Sequence, residues 1–327
     1  MLSLVRSIPD QLEYGWKTAG AVVESIPKDV PASLAVCGMG GSGVSGDILR
    51  GLLLHTSPIP IEVVKDYTLP GWIKNQAFAV LISYSGDTEE ALALWEALTE
   101  RGVQRLAITS GGKLKELAEA ASVPTVTVPS GIPPRAAVGY LFAPLLRLVD
   151  YWNLYPEAEQ ELTATLDLLR SRMSEWEKET EKLAQSLKDH FSIIHSLDQR
   201  FAAVAYRLVC QLNENAKVLA HAHAYSEMNH NEIMGFEGGT DENIALVVLD
   251  PGDEFIHPRN RKRAKIVDRI LPSSIPRLVI HAEGESLLDR FFSLLVKGDL
   301  LSVFLAELRG VDPFPVASID RLKKELS

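Results

Sequence analysis

Cysteine is scarce in this chain of 327 residues: Cys37 and Cys210 are the whole supply. Two thiols are too few for a disulfide scaffold and point to a reducing compartment. Cys37 also closes an apolar run that reads as a buried strand, where a thiol behaves as a small hydrophobe. Positive charge is in deficit as well. Lys and Arg number 33 against 43 Asp and Glu, a net charge of −10, and the longest basic stretch is Arg259-Asn260-Arg261-Lys262-Arg263. That balance argues against a nucleic-acid partner, and it obliges any anionic ligand to find a locally positive site. Long apolar runs are missing too. Met1–Trp16 has none long enough for a signal peptide, and the most apolar helical stretch, Ser286–Leu308, carries Asp289, Arg290, Lys297, Asp299 and Glu307. No membrane partner is therefore expected, and the expected location is cytoplasmic. What remains, 46% hydrophobic and 23% charged, is the composition of a globular protein long enough for two domains.

Two short stretches carry most of the information: Gly38-Met39-Gly40-Gly41-Ser42-Gly43 and Ser83-Tyr84-Ser85-Gly86-Asp87-Thr88. Each follows an apolar run that reads as a strand (Ser33–Cys37 and Phe78–Ile82), and each opens a segment with helical spacing. Two glycine and hydroxyl turns at neighbouring strand ends direct backbone N–H groups, hydroxyls and helix N-termini into one crevice, where an open α/β sheet binds an anion. Neither turn contains Lys or Arg. Dipoles and hydroxyls must then do the holding, which suits a small phosphate monoester better than a nucleoside triphosphate. Gly38-x-Gly40-x-x-Gly43 formally matches a dinucleotide fingerprint, with Asp66 placed 23 residues beyond Gly43 as a ribose acid. A dinucleotide site has no use for the three hydroxyls of Ser83, Ser85 and Thr88, whereas these can ring the oxygens of one phosphate. A Walker loop is ruled out because no Lys precedes Ser45.

Strands are expected near 34–37, 60–65, 78–83, 104–109 and 124–128, alternating with helices near 43–54, 87–101, 112–121 and 135–150, after a leading helix and turn over 1–30. This is the pattern of a doubly wound parallel sheet. Glu157–His190 is Leu-spaced, charged and free of Gly and Pro, predicting one long helix or a helical pair that connects two halves. Beyond it, Asn243–Leu249 and Arg277–His281 read as strands, with helices near 260–270, 285–309 and 317–326. The second half therefore resembles a degenerate copy of the first. Its glycine turn is missing, because Ala202–Arg207 runs on where such a loop would fall. The expected fold class is α/β with two doubly wound parallel-sheet domains, residues 1–153 and 191–327, joined by a helical connector over 154–190.

Three further segments carry candidate chemistry. Ile132-Pro133-Pro134-Arg135 places an Arg at a helix entry beyond the fifth strand. There a guanidinium either stabilises a developing oxyanion or is an ordinary surface Arg, and the motif leaves both open. Asn213-Glu214-Asn215-Ala216-Lys217 brackets a carboxylate with amides, which suits a proton acceptor but also an exposed Glu at a helix end. His221, His223, His230 and Glu232 fall within twelve residues and formally make a divalent-metal set. The metal reading is disfavoured because His221-Ala222-His223 sits in an Ala-rich run with no framing turn. His230 reads better as an acid/base or ring-opening residue, since an imidazole titrates near working pH.

Six segments in order resemble those of the bifunctional phosphoglucose/phosphomannose isomerases, a branch of the sugar isomerase (SIS) domain superfamily. They are Cys37–Gly43, Ser83–Thr88, Gly131–Arg135, Asn213–Lys217, Asn229–Glu232 and Ile319–Lys323, spanning nearly the whole chain. The resemblance implies two SIS domains, a homodimer, and reversible aldose–ketose isomerisation of hexose 6-phosphates through a cis-enediol, with no cofactor and no metal. It implies Glu214 as the base between C1 and C2 and Arg135 as the stabiliser of the intermediate. His230, from the partner subunit, and Lys323, from the last helix, would open the sugar ring, the neighbouring Lys324 being the other choice. Gly41, Ser42, Ser83, Ser85 and Thr88 would bind the phosphate. The stretch 311–317 departs from the family pattern: it has no hydroxyl and carries the bulky Phe314, so the resemblance supports phosphoglucose activity better than phosphomannose activity. The competing readings are a sugar-phosphate sensor without chemistry, which would not need Arg135, Glu214, His230 and Lys323, and a dinucleotide-dependent oxidoreductase. The apolar Leu287–Leu308 segment, with more Leu, Phe and Val than one layer needs, is a second reason to expect a dimer.

Overall fold

Near-continuous apolar runs mark strands covered on both faces, and the two innermost strands of the first half are such runs: every residue of β1 (Ser33–Cys37) and β3 (Ala77–Ile82) is buried. The computed structural model describes residues 1–238 and 243–326. After α1 (Leu2–Arg6) and α2 (Ile8–Val23), the chain alternates β1, α3 (Gly40–Leu53), β2 (Ile61–Val64), β3, α4 (Glu89–Glu100), β4 (Gln104–Thr109), α5 (Gly112–Ala120), β5 (Thr125–Thr127) and α6 (Val138–Tyr151). These strands form one parallel sheet in the order β2-β1-β3-β4-β5. One face packs through Ala35, Cys37 and Leu81 onto Leu94, Trp95, Leu98 and Leu114 of α4 and α5. Toward the other, Gly46 of α3 lies so close to Val36 that an added Cβ would meet its side chain at 2.7 Å.

α7 (Ala158–Leu187) is a single helix of 30 residues, not a pair. It is followed by β6 (Phe191–Ser196), α8 (Ala202–Gln211), β7 (Ala220–Ala224), α9 (Tyr225–Met228), β8 (Ile244–Asp250), α10 (Pro258–Ile270), β9 (Arg277–His281), α11 (Leu287–Leu308) and α12 (Ala317–Leu326). The second sheet is parallel, in the order β7-β6-β8-β9. The chain thus has the expected α/β architecture with two parallel sheets. It divides into two compact units, one of residues Arg6–Ser171 with Gly284–Asp289, the other of Met1–Val5, Arg172–Glu283 and Arg290–Ser327.

Two strands escaped the sequence reading. β6 is central, yet it buries Ser192, His195 and Ser196, and these polar residues break up the apolar run. β7 is Ala-His-Ala-His-Ala, a period-two pattern that its alanines, poor strand formers, disguised. The argument from α11 also changes. Leu288, Phe291, Phe292, Leu294, Leu295, Leu300 and Leu301 are all buried within the chain itself, so the helix needs no second copy to cover it. Among the described residues, no helix is long and apolar enough to cross a membrane.

Candidate active site

In the order β2-β1-β3-β4-β5 the winding direction reverses between β1 and β3, which makes the crevice beyond their C-terminal ends the expected ligand site. Both glycine and hydroxyl turns open there. Gly86 must be glycine: its φ is +83° and a Cβ would fall 1.8 Å from the Gly111 carbonyl oxygen. Around it, the buried Ser83 hydroxyl accepts from the Gly86 N–H at 3.1 Å and hydrogen-bonds Thr88 Oγ1 at 2.9 Å. Ser85 is exposed, and its hydroxyl accepts from the Asp87 N–H at 3.3 Å. Since one proton is used inside the Ser83–Thr88 pair, the three hydroxyls have two protons left for an anion.

The first turn is built differently. Gly40–Leu53 is buried at eleven of its fourteen positions, Ser42 among them. The Ser42 amide donates to the Met39 carbonyl at 2.9 Å, so Ser42 offers an anion its hydroxyl. Gly41 presses against the segment that carries Arg135: a Cβ there would stand 2.8 Å from the Pro134 carbonyl oxygen and 3.2 Å from Arg135 Cα. Arg135 is 5% exposed, which removes the reading of a surface Arg at a helix entry. Its one-turn 3₁₀ helix, Pro134–Ala136, is held by Gln11 of α2, whose amide donates to the Ala136 carbonyl at 2.8 Å.

Two residues that the sequence did not flag complete this region. Tyr84 is 6% exposed; its hydroxyl donates to the Pro129 carbonyl at 2.9 Å and accepts from the Ile132 N–H at 3.3 Å, tying the second turn to the Arg135 segment. Burial raises its phenol above the ordinary tyrosine value. Lys65, one residue past β2, lies against the first turn. Its Cε lies 2.9 Å from where a Cβ on Gly43 would be, and its ammonium pairs with Asp47 of α3. Contacts between residues so far apart in sequence leave no local signal, so neither role was legible.

The structure therefore sets the turns of Ser42 and of Ser83 and Thr88 at neighbouring strand ends and packs the backbone of Arg135 against Gly41. Glu214, His230 and Lys323 belong to the other compact unit. Glu214 is half-buried within a π-helical turn, Leu212–Ala216, that closes α8 and ends at Lys217 with φ of +57°. Such turns concentrate at functional sites. Asn215 is buried and donates to Ser302 Oγ of α11 at 2.9 Å, while Lys217 donates to the carbonyls of Glu214 and Pro315. The turn that presents Glu214 is thereby fixed on both sides. His230 is exposed, its amide donating to the Glu227 carbonyl at 2.9 Å, and Lys323 and Lys324 are exposed on α12. Of the residues weighed as a metal set, His221, His223 and Glu232 do converge, joined by His195.

Comparison with known proteins agrees with this layout. Residues 31–129 match the SIS domain, and residues 176–326 match the bacterial phospho-glucose isomerase C-terminal SIS domain. Among solved structures, the tagatose-6-phosphate ketose/aldose isomerase of Escherichia coli superimposes with a TM-score of 0.74 over 95% of this chain and 94% of that one, at 12% identity. That identity speaks to fold alone, and the fold is that of two SIS domains. Closer in sequence are two proteins named bifunctional phosphoglucose/phosphomannose isomerase. The one from Caldicellulosiruptor bescii is 32% identical over 100% of this chain and 99% of its own length, and the one from Aquifex aeolicus is 36% identical over 93% of each. The chain belongs to the bifunctional phosphoglucose/phosphomannose isomerase family.

Proposed function

We propose that the protein interconverts fructose 6-phosphate with glucose 6-phosphate and with mannose 6-phosphate through a cis-enediol intermediate, using no metal or cofactor. The observation that carries this reading is the buried Arg135 abutting a hydroxyl-lined anion crevice, in a chain whose relatives bear the names of such isomerases. The substrate phosphate is held by the Gly41 turn, the hydroxyls of Ser42 and Ser85 and the Ser83–Thr88 pair, with the Lys65 ammonium close by. Held there, the phosphate positions carbons remote from it. Glu214 moves the proton between C1 and C2. A carboxylate alone is a feeble base toward such a carbon, and Arg135 compensates by stabilising the enediolate; one preorganised contact of this kind is worth about 3–4 kcal/mol. His230, supplied by the partner subunit of a homodimer, and Lys323 open the sugar ring. The protein works in the cytoplasm.

The test is one coupled assay starting from fructose 6-phosphate that resolves glucose 6-phosphate from mannose 6-phosphate. Both products should form. Binding of fructose 6-phosphate with neither product formed would leave a sugar-phosphate sensor instead.

A further inference from the structure

β7 is an edge strand, and alternate residues of a strand share a face. His221 and His223 therefore project together, and the register sets them beside Ile193 and His195 of β6. Over that face runs the 3₁₀ turn Glu232–Phe236, whose Phe236 joins Ile193, Leu246 and Tyr225 in the core. Glu232 thus meets three imidazoles. One carboxylate oxygen lies 3.0 Å from His221 Nε2 and 3.0 Å from His223 Nδ1, and the other lies 2.5 Å from Nε2 of His195, which is 1% exposed.

We propose that His221, His223 and Glu232 bind one divalent transition-metal ion of the zinc class, with His195 as the residue that orients the carboxylate. The three donor atoms all lie within 4.8 Å of one another. Tetrahedral zinc with bonds of about 2.0–2.1 Å needs neighbouring donors about 3.3 Å apart; the two N···O distances of 3.0 Å are already near that, and the two imidazole nitrogens, within 4.8 Å of each other, close on the ion by side-chain rotation. Each imidazole offers its lone pair by moving its proton to the other ring nitrogen, which leaves the proton balance unchanged. Two histidines and a glutamate are a donor set that zinc accepts with a fourth position left to water. His221 stands at the open side, its side chain 52% exposed. His195 plays the part that a second hydrogen-bonding partner plays toward a metal-bound carboxylate, fixing the orientation of Glu232.

The ion would clamp the segment that follows His230 onto the sheet. That is a structural role: the site uses none of the residues assigned to the reaction, and the proposal stands whether or not the isomerase reading does. Calorimetric titration of ZnCl₂ into full-length protein, free of any histidine tag and stripped with EDTA, is the primary test. One equivalent should bind per chain. In His221→Ala/His223→Ala binding should weaken at least about 100-fold, and in His195→Gln by about 10- to 100-fold with the stoichiometry kept. Histidine-ring NMR of the wild type gives an answer that does not depend on the variants folding. Zn²⁺ should perturb the ring signals of three of the eight histidines, assigned through single substitutions to His195, His221 and His223. A wild type that binds no equivalent, a double variant that binds as tightly, or perturbation centred on other histidines would each overturn the site.

Discussion

Gly41→Ala should separate the positioning of Arg135 from the binding of phosphate. The new Cβ would lie 2.8 Å from the Pro134 carbonyl oxygen, about 0.6 Å inside the 3.4 Å at which ordinary contact begins, and 3.2 Å from Arg135 Cα. The obstacle is backbone and cannot rotate away. One side is α3, buried along most of its length; the other is a single 3₁₀ turn held by Gln11. The turn is the softer partner, so Arg135 moves. Overpacking of this kind costs about 1–3 kcal/mol of stability, which lowers Tm by a few degrees. A displacement approaching 1 Å in a catalytic group costs up to about 100-fold, so kcat should fall between about 10- and 100-fold. Inhibition by inorganic phosphate, spread over several hydroxyls, should weaken by no more than about fivefold. Steady-state kinetics with fructose 6-phosphate, phosphate inhibition and thermal unfolding measure all three. The decisive control is the cycle with Arg135→Ala: in that background Gly41→Ala should cost little further kcat, because the group it displaces is gone. A variant with lowered Tm and a kcat within about twofold of wild type would refute the positioning argument, as would full additivity in the cycle.

Other expectations follow from single groups. Glu214→Gln should retain phosphate inhibition and lose isomerisation by several orders of magnitude, because an amide cannot accept the C–H proton; exchange of substrate hydrogen with solvent deuterium at the wild-type rate would remove Glu214 as the base. If each site takes His230 from the partner, mixing inactive His230→Ala and Glu214→Gln chains should restore about a quarter of wild-type activity at statistical exchange, since half the dimers are mixed and each holds one intact site. No recovery, with exchange shown by mass, would place His230 in its own chain's site. Glu283 should lend the fold acid sensitivity. Burial would raise its carboxyl, but donors from Lys297, Arg172 and Trp176 outweigh it and hold the pKa below the ordinary value. Its stabilising contribution is therefore present in full above the unfolded value of about 4.3 and lost as pH falls through the lower folded value. Glu283→Gln leaves Lys297, 1% exposed, with Glu179 as its remaining carboxylate, and should cost about 3 kcal/mol at neutral pH. The gap in Tm between variant and wild type should close on acidification, and a gap constant down to pH 3 would refute the linkage.

What could be read in advance was whatever lay in one stretch of chain. β1 and β3 were legible because parallel strands covered on both faces are plain aliphatic runs, and the anion turns because glycines and hydroxyls cluster within six residues. β9 and α12 were placed to the residue. β6 and β7 were not, since both bury or alternate histidine and serine in the service of a polar cluster. The alanines around His221 and His223 hide the strand signal, and the same alternation sets the two histidines on one face. Glu214 stood out by its neighbours, but its π-helical turn depends on Asn215 meeting Ser302 across 87 positions, and Tyr84 reaches the Arg135 segment across 48.

The two sheets wind alike, β2-β1-β3-β4 matching β7-β6-β8-β9, so each has a reversal point where an anion would be expected. At the first, the strands end in glycine turns and hydroxyls. At the second, β6 is followed by Asp198 and β8 ends in Asp250, both buried. Arg261 donates twice to Asp250 at 2.7 Å, and Arg200 donates to Asp198 at 2.7 Å and to the Phe255 carbonyl. The Asp250 carboxyl, which burial would raise, is held below its ordinary value by Arg261 and by the Gly252 N–H. A phosphate entering there would have to take guanidiniums from carboxylates already bonded to them, at about 1.5–3 kcal/mol for each charged hydrogen bond given up, and would then face two uncompensated carboxylates. The missing glycine loop is thus only half of what makes the second reversal point a poor anion site. The other half is that its positive charge is already neutralised by Asp198 and Asp250.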